Sequence, residues 1–103
     1  MAQQPIHIYQ ATGFWQRFRG LMCKSALPCD QALLIQNCSS VHTCFMRFVI
    51  DVVYLDKQML IVKLDRNVPP WRMRWGGKDA RHTLEMSAGS IDRFKLHIGG
   101  AID

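Results

Sequence analysis

The strongest constraint on this chain is a succession of short apolar segments, each closed by turn-forming residues before it reaches the length of a helix. The clearest pair is Ile50 to Leu55, rich in β-branched and aromatic residues, and Met59 to Leu64, joined by Asp56-Lys57-Gln58. This is the pattern of two adjacent strands around a hairpin turn. Ile6 and Ile8, set among His7, Tyr9 and Gln10, alternate as in a strand with one buried face. Ala32 to Ile35 is a short continuous apolar run, Val41 to Phe48 alternates loosely, and His82 to Met86 alternates again. Leu96 and Ile98 suggest a last strand.

Helical periodicity occurs near residues 14–22, where Phe14, Trp15, Phe18, Leu21 and Met22 recur at three- and four-residue spacing. Ile91 to Phe94 allows a further helical turn. Pro69-Pro70 and Gly76-Gly77 interrupt the strand pattern and predict a loop or a sheet edge between them. The helices are too few for crossovers, which favours a sandwich or barrel over a βαβ fold. The expectation is a mainly β fold: a β-sandwich or partly open barrel of about six or seven short strands with one short helix near residues 14–22.

The chain has 103 residues, the size of one domain, so residues 1–103 are read as a single unit. Hydrophobic residues make up 49% and charged residues 20%, enough apolar surface to offset the ordering entropy of folding. A net charge of +5 favours anionic partners at long range without specifying a site. Met1 to Pro5 carry neither a basic nor an apolar leader region, and no apolar stretch is long enough to span a membrane. A cytoplasmic monomer is expected. In that compartment Cys23, Cys29, Cys38 and Cys44 are expected to be free and mostly buried thiols, with a metal site or a disulfide as alternatives.

The motifs Arg17-x-Arg19-Gly20-Leu21-Met22, Val41-His42-Thr43-x-Phe45-Met46-Arg47-Phe48-x-Ile50-Asp51-Val52-Val53-Tyr54-Leu55-Asp56, Pro70-Trp71-Arg72 and Leu84-Glu85-Met86-x-Ala88-Gly89 stand in this order along most of the chain. Together they resemble the domain of unknown function 192 family of uncharacterised conserved bacterial proteins. The resemblance implies a compact, mostly β fold with one short helix and implies no activity. The chain departs from the family pattern at Cys44, where a bulky apolar residue is usual, and at Val49, where a proline is usual. Many relatives also carry an export signal.

Three functional readings follow from the residues. The first is a small non-catalytic binding module whose site lies near the Val41–Asp51 segment. Asp51 stands among apolar residues and requires a partner, either backbone or cationic, with Arg47 and Arg19 as the candidate cations. His42, Arg47 and Asp51, with Arg19, would then hold a small anionic ligand, Arg47 gripping the anion.

The second reading is nucleic-acid or polyanion binding through Arg66 to Arg81, where Trp71, Arg72, Arg74, Trp75 and Lys78 combine basic side chains with rings able to stack on bases. The plainer account of this stretch has Trp71 filling the core and the arginines solvated. The third reading is a metal- or thiol-dependent enzyme using Cys38 and His42. Cys38, His42 and Cys44 place three soft ligands within seven residues but lack a fourth partner, and no cofactor is expected. Glu85 is the chain's one glutamate; flanked by Leu84 and Met86, it is expected to point away from the core. With no second carboxylate assigned to it, it defines no acid/base pair. Phosphate-cradling glycine loops and the common hydrolase motifs are absent from the sequence.

Overall fold

Residues 6–10, 31–43 and 48–102 are described by a computed structural model. Among them are seven strands: β1 (His7–Gln10), β2 (Gln31–Ile35), β3 (Ser40–His42), β4 (Ile50–Leu55), β5 (Ile61–Val68), β6 (Met73–Trp75) and β7 (His82–Ser87). A single turn of helix, α1 (Ser90–Arg93), follows β7. The helix expected near residues 14–22 lies outside the described residues.

Five strands form one sheet in the order β1-β2-β7-β4-β5, while β3 and β6 form a separate two-stranded sheet. Only β1 and β2 run parallel; the other pairs are antiparallel. The described architecture is thus two sheets and not a closed barrel. β4 has neighbours on both edges and is covered on both faces, so all six of its residues are buried. A strand in that position has no solvent face to mark with polar residues, which is why Ile50 to Leu55 reads as an almost unbroken apolar run.

Register divides the large sheet into two faces. Leu34, Leu84 and Val53 stand opposite one another and belong to a core shared with Leu55, Met86, Ile91 and Phe94, the face on which α1 lies. Leu33, Glu85 and Val52 form the adjacent row and therefore point to the other face. On that side Val41 of β3 packs into a second cluster with Ile50, Val52, Tyr54 and Val68. The small sheet is extended beyond its strands by Thr43 N–H donating to Arg72 O (2.8 Å), Trp71 N–H to Thr43 O (3.0 Å) and Gly76 N–H to Ser39 O (2.8 Å).

Three boundaries differ from the sequence expectation. β5 begins at Ile61 and continues to Val68, past Leu64, because its pairing with β4 extends to an Ile50–Val68 match beyond an irregularity in register. The Val41–Phe48 strand is a strand only to His42 among the described residues, and residues 44–47 lie outside them. The interval bounded by Pro69-Pro70 and Gly76-Gly77 is a sheet edge, one of the two forms expected: it contains β6, three residues long, in the two-stranded sheet. Leu96 and Ile98 form no strand; after α1 the chain turns and makes one isolated bridge, Leu60 with Ala101. No helix among the described residues is long and apolar enough to cross a membrane.

Candidate functional site

β7 alternates Thr83, Glu85 and Ser87 with Leu84 and Met86, and the second set fills the α1-side core. Of the first set, Thr83 and Glu85 face the small sheet, while Ser87, at the strand's end, bonds Ser90 Oγ of α1 at 2.8 Å. Thr83 Oγ1 donates to Cys38 O at 2.7 Å, and His82 Nδ1 accepts from Asn37 N–H at 3.1 Å, so the turn between β2 and β3 is held against β7. This anchorage leaves a cavity of about 170 Å³ between the sheets. Ile35, Val41 and Met73 supply its apolar wall, and Cys38, Ser40 and His42 its polar boundary.

Glu85 also lines this cavity. It is 1% exposed, and neither carboxyl oxygen has a hydrogen-bond partner among the described residues. Desolvation penalises its charged form and raises its pKa to about 7. The expectation that Glu85 points away from the core is therefore corrected. Its alternation with Leu84 and Met86 resembles that of a strand with one wet face, but the second sheet covers the face that would have been wet.

Asp51 lies on the opposite face of the large sheet from Glu85, since its cross-strand neighbour on β7 is Met86. Its Oδ1 accepts from Asn67 N–H and its Oδ2 from Ile91 N–H, each at 3.0 Å. Of the two kinds of partner expected for this buried carboxylate, the backbone is the one found among the described residues. Asp51 thus joins β4 to the β5 backbone and to the start of α1. His42, exposed on β3, and Asp51 are separated by the sheet and share no cleft. Arg19 and Arg47 lie outside the described residues.

Cys38 and His42 border the same cavity, while Cys44 lies outside the described residues. The Cys38 thiol donates to Ser40 O at 2.9 Å. Among the described residues no group of three or more His, Cys, Asp or Glu side chains is arranged to hold a metal ion.

The basic stretch is at the surface. Trp71 is 58% and Trp75 59% exposed, with Met73 between them at 77%. Trp71 does not fill the core as the plainer sequence account has it. It occupies a left-handed turn, φ 65°, that carries the chain into β6, and Pro69 and Pro70 ahead of it are themselves half-buried. Arg72 and Lys78 are exposed. Arg74 stands opposite the buried Val41 and is half-buried, its Nη1 donating to Met73 O at 3.0 Å. Arg66 instead forms an exposed ion pair with Asp92, 3.1 Å.

Beneath β6, Lys63 Nζ donates to Trp75 O at 2.8 Å and lies 5.7 Å from the centre of the Tyr54 ring. Tyr54 is fully buried and its hydroxyl donates to Asp65 Oδ2 at 3.0 Å. Burial first, then the Asp65 charge and hydrogen bond, hold that phenol protonated far above the ordinary tyrosine range.

Fold and cavity make this chain a small two-sheet β domain in which the buried Glu85 lines an apolar space between the sheets. The chain belongs to the DUF192 family, described as Uncharacterized ACR, whose model matches residues 1–103. It is 33% identical to a UPF0127 protein of Thermococcus sibiricus over 97 residues, covering 90% of this chain and 62% of that protein. A UPF0127 protein of Pyrococcus furiosus is 29% identical over 105 residues, 95% of this chain and 86% of the relative. One of Thermococcus gammatolerans is 31% identical over 104 residues, 93% and 65% of the two chains. The chain thus spans under two thirds of the length of both Thermococcus relatives. These relatives are archaeal, so they do not bear out the bacterial qualifier attached to the resemblance.

Two solved structures share the fold, each with a TM-score of 0.76. One, from Sinorhizobium meliloti, is described as a candidate transcription regulator; it is 18% identical, and the match covers 89% of this chain and 76% of that one. The other, of unknown function, is from Novosphingobium aromaticivorans and is 13% identical, with 91% and 71% covered.

Proposed function

We propose that this chain is a small non-catalytic binding module whose ligand enters the cavity between the two sheets. The observation that carries the reading is Glu85, which lines a mainly apolar space and whose two buried carboxyl oxygens are both unsatisfied among the described residues. A buried polar group without a partner costs on the order of 1–3 kcal/mol, and a ligand that supplies the missing hydrogen bonds recovers part of that cost. His42 and Cys38 at the polar boundary are the accessory contacts. A carboxyl here argues against the small anionic ligand expected with Arg19 and Arg47, at least at this cavity. Fragment titration followed by amide NMR tests the reading: shifts should centre on Ile35, Cys38, Val41, Met73 and Glu85. Fragments that perturb only other surfaces would sink it.

Exposed Trp71 and Trp75 beside Arg72 and Lys78 favour a second reading, nucleic-acid binding at the outer edge of the small sheet. Rings stack on unpaired bases for about 1–3 kcal/mol each, and cations add a salt-dependent contribution. Under this reading an unstructured oligonucleotide binds with an affinity that falls steeply between 50 and 200 mM salt, as ion release predicts. Removing both Arg72 and Lys78 side chains flattens that slope. Binding with no salt dependence would exclude the reading.

A further inference from the structure

We infer that the preferred occupant of the inter-sheet cavity is a small organic ammonium ion, an apolar body bearing one protonated amine that pairs with Glu85; this rests on the binding reading above. The cavity, about 170 Å³, is close in size to the ~150 Å³ apolar cavity that holds benzene, so it suits a single ring or a short branched chain. Ile35, Val41 and Met73 give such a body its contacts.

The polar end of the ligand is selected by Glu85. A wholly apolar guest leaves both oxygens unsatisfied, and an anion adds like charge to a site that already disfavours one. A neutral alcohol satisfies one lone pair. An ammonium group supplies three donors together with the opposite charge, so it can serve both oxygens and stabilise the ionised carboxylate in its apolar surroundings.

Binding is then linked to protons, because the carboxyl must be ionised to receive a cation. Among the described residues the titratable groups around it are His42 on β3, Cys38 on the β2–β3 turn and Tyr54 on β4. Arg74 of β6 and Asp65 of β5 act electrostatically on the same Tyr54. β2 contributes Leu33 and Ile35, which do not titrate.

The test compares benzylamine with benzyl alcohol, probes of nearly equal shape, by NMR titration of the full chain at pH 6 and pH 8. Benzylamine stays protonated at both. For a carboxyl titrating at about 7 the ionised fraction rises from roughly a tenth to nine tenths, so benzylamine should bind about tenfold more tightly at pH 8. Benzyl alcohol should show no such gain. Glu85→Gln should remove the pH step and weaken benzylamine by more than about tenfold, leaving the alcohol within about twofold. His42→Gln should keep the step, which assigns it to Glu85. Should the alcohol match the amine in the wild-type protein at pH 8, or Glu85→Gln bind the amine undiminished, the ammonium assignment is overturned and the cavity reading stands. Should neither probe shift resonances at the cavity, the cavity reading itself falls.

Discussion

Thr43 shows how one buried hydroxyl can fix a connection that backbone pairing alone leaves loose. Its Oγ1 donates to Pro69 O at 2.6 Å and accepts from Arg72 N–H at 2.8 Å, in a side chain with no solvent exposure. A proline carbonyl and the amide three residues further on are thereby satisfied by the same atom. Thr43→Val preserves shape and strands both partners, so urea denaturation should show a loss of about 1–3 kcal/mol, with Thr43→Ser recovering most of it. Asp51 is the charged counterpart. Its two oxygens accept from amides of residues 67 and 91, distant in sequence. Asp51→Asn keeps one acceptor and places an N–H₂ group against an amide donor, and should cost at least about 1–3 kcal/mol. Equal stability of Asp51→Asn and wild type would contradict the view that both amides depend on the carboxylate.

At the scale of elements, the attachment of β6 to the large sheet depends on a residue without a side chain. A Cβ added to Gly76 would meet the Tyr54 ring, with Cγ at 2.6 Å, and the Ala80 methyl at 2.7 Å. The ring cannot retreat, because Tyr54 is fully buried and tied to Asp65. Gly76→Ala should therefore destabilise the protein by about 1–3 kcal/mol by overpacking and raise the exchange rate of the Gly76 amide, which donates to Ser39 O. Much of the element pattern was legible in the sequence, since β4, β7, the turn after β4 and the helical turn at Ile91 each have local signatures. β6 was less so, because three residues carry too little periodicity to mark a strand. Alternation gives the side of a strand but not what covers that side. The alternation around Glu85 therefore suggests a wet face that the second sheet in fact covers, and Asp51 and His42 lie on opposite sides of a sheet whose strand order no local pattern encodes. A tryptophan beside two prolines looks like core, yet the left-handed turn at Trp71 directs the chain along the surface.

For the molecule as a whole, the two sheets enclose a carboxyl whose protonation must be coupled to global stability. Glu85 has its pKa raised from 4.5 to about 7 in the folded chain by desolvation. Below about pH 4.5 the group is protonated in both folded and unfolded states, and its contribution is fully retained. Between about 4.5 and 7 the folded state holds a proton that the unfolded state has released, so stability falls as pH rises; above 7 both states are ionised and the loss levels off. At 1.36 kcal/mol per pKa unit the whole loss is about 3 kcal/mol. Glu85→Gln cannot ionise and should remove this decline, so urea midpoints for the two proteins should converge at low pH and separate progressively toward pH 8, with the variant the more stable. A bound cation should oppose the same loss, because pairing with the ionised carboxylate stabilises only the folded state. The pH-dependent stability difference between wild type and Glu85→Gln should therefore narrow when saturating benzylamine is present. Curves that stay parallel across this range, with or without the amine, would show that Glu85 is not desolvated in the folded chain.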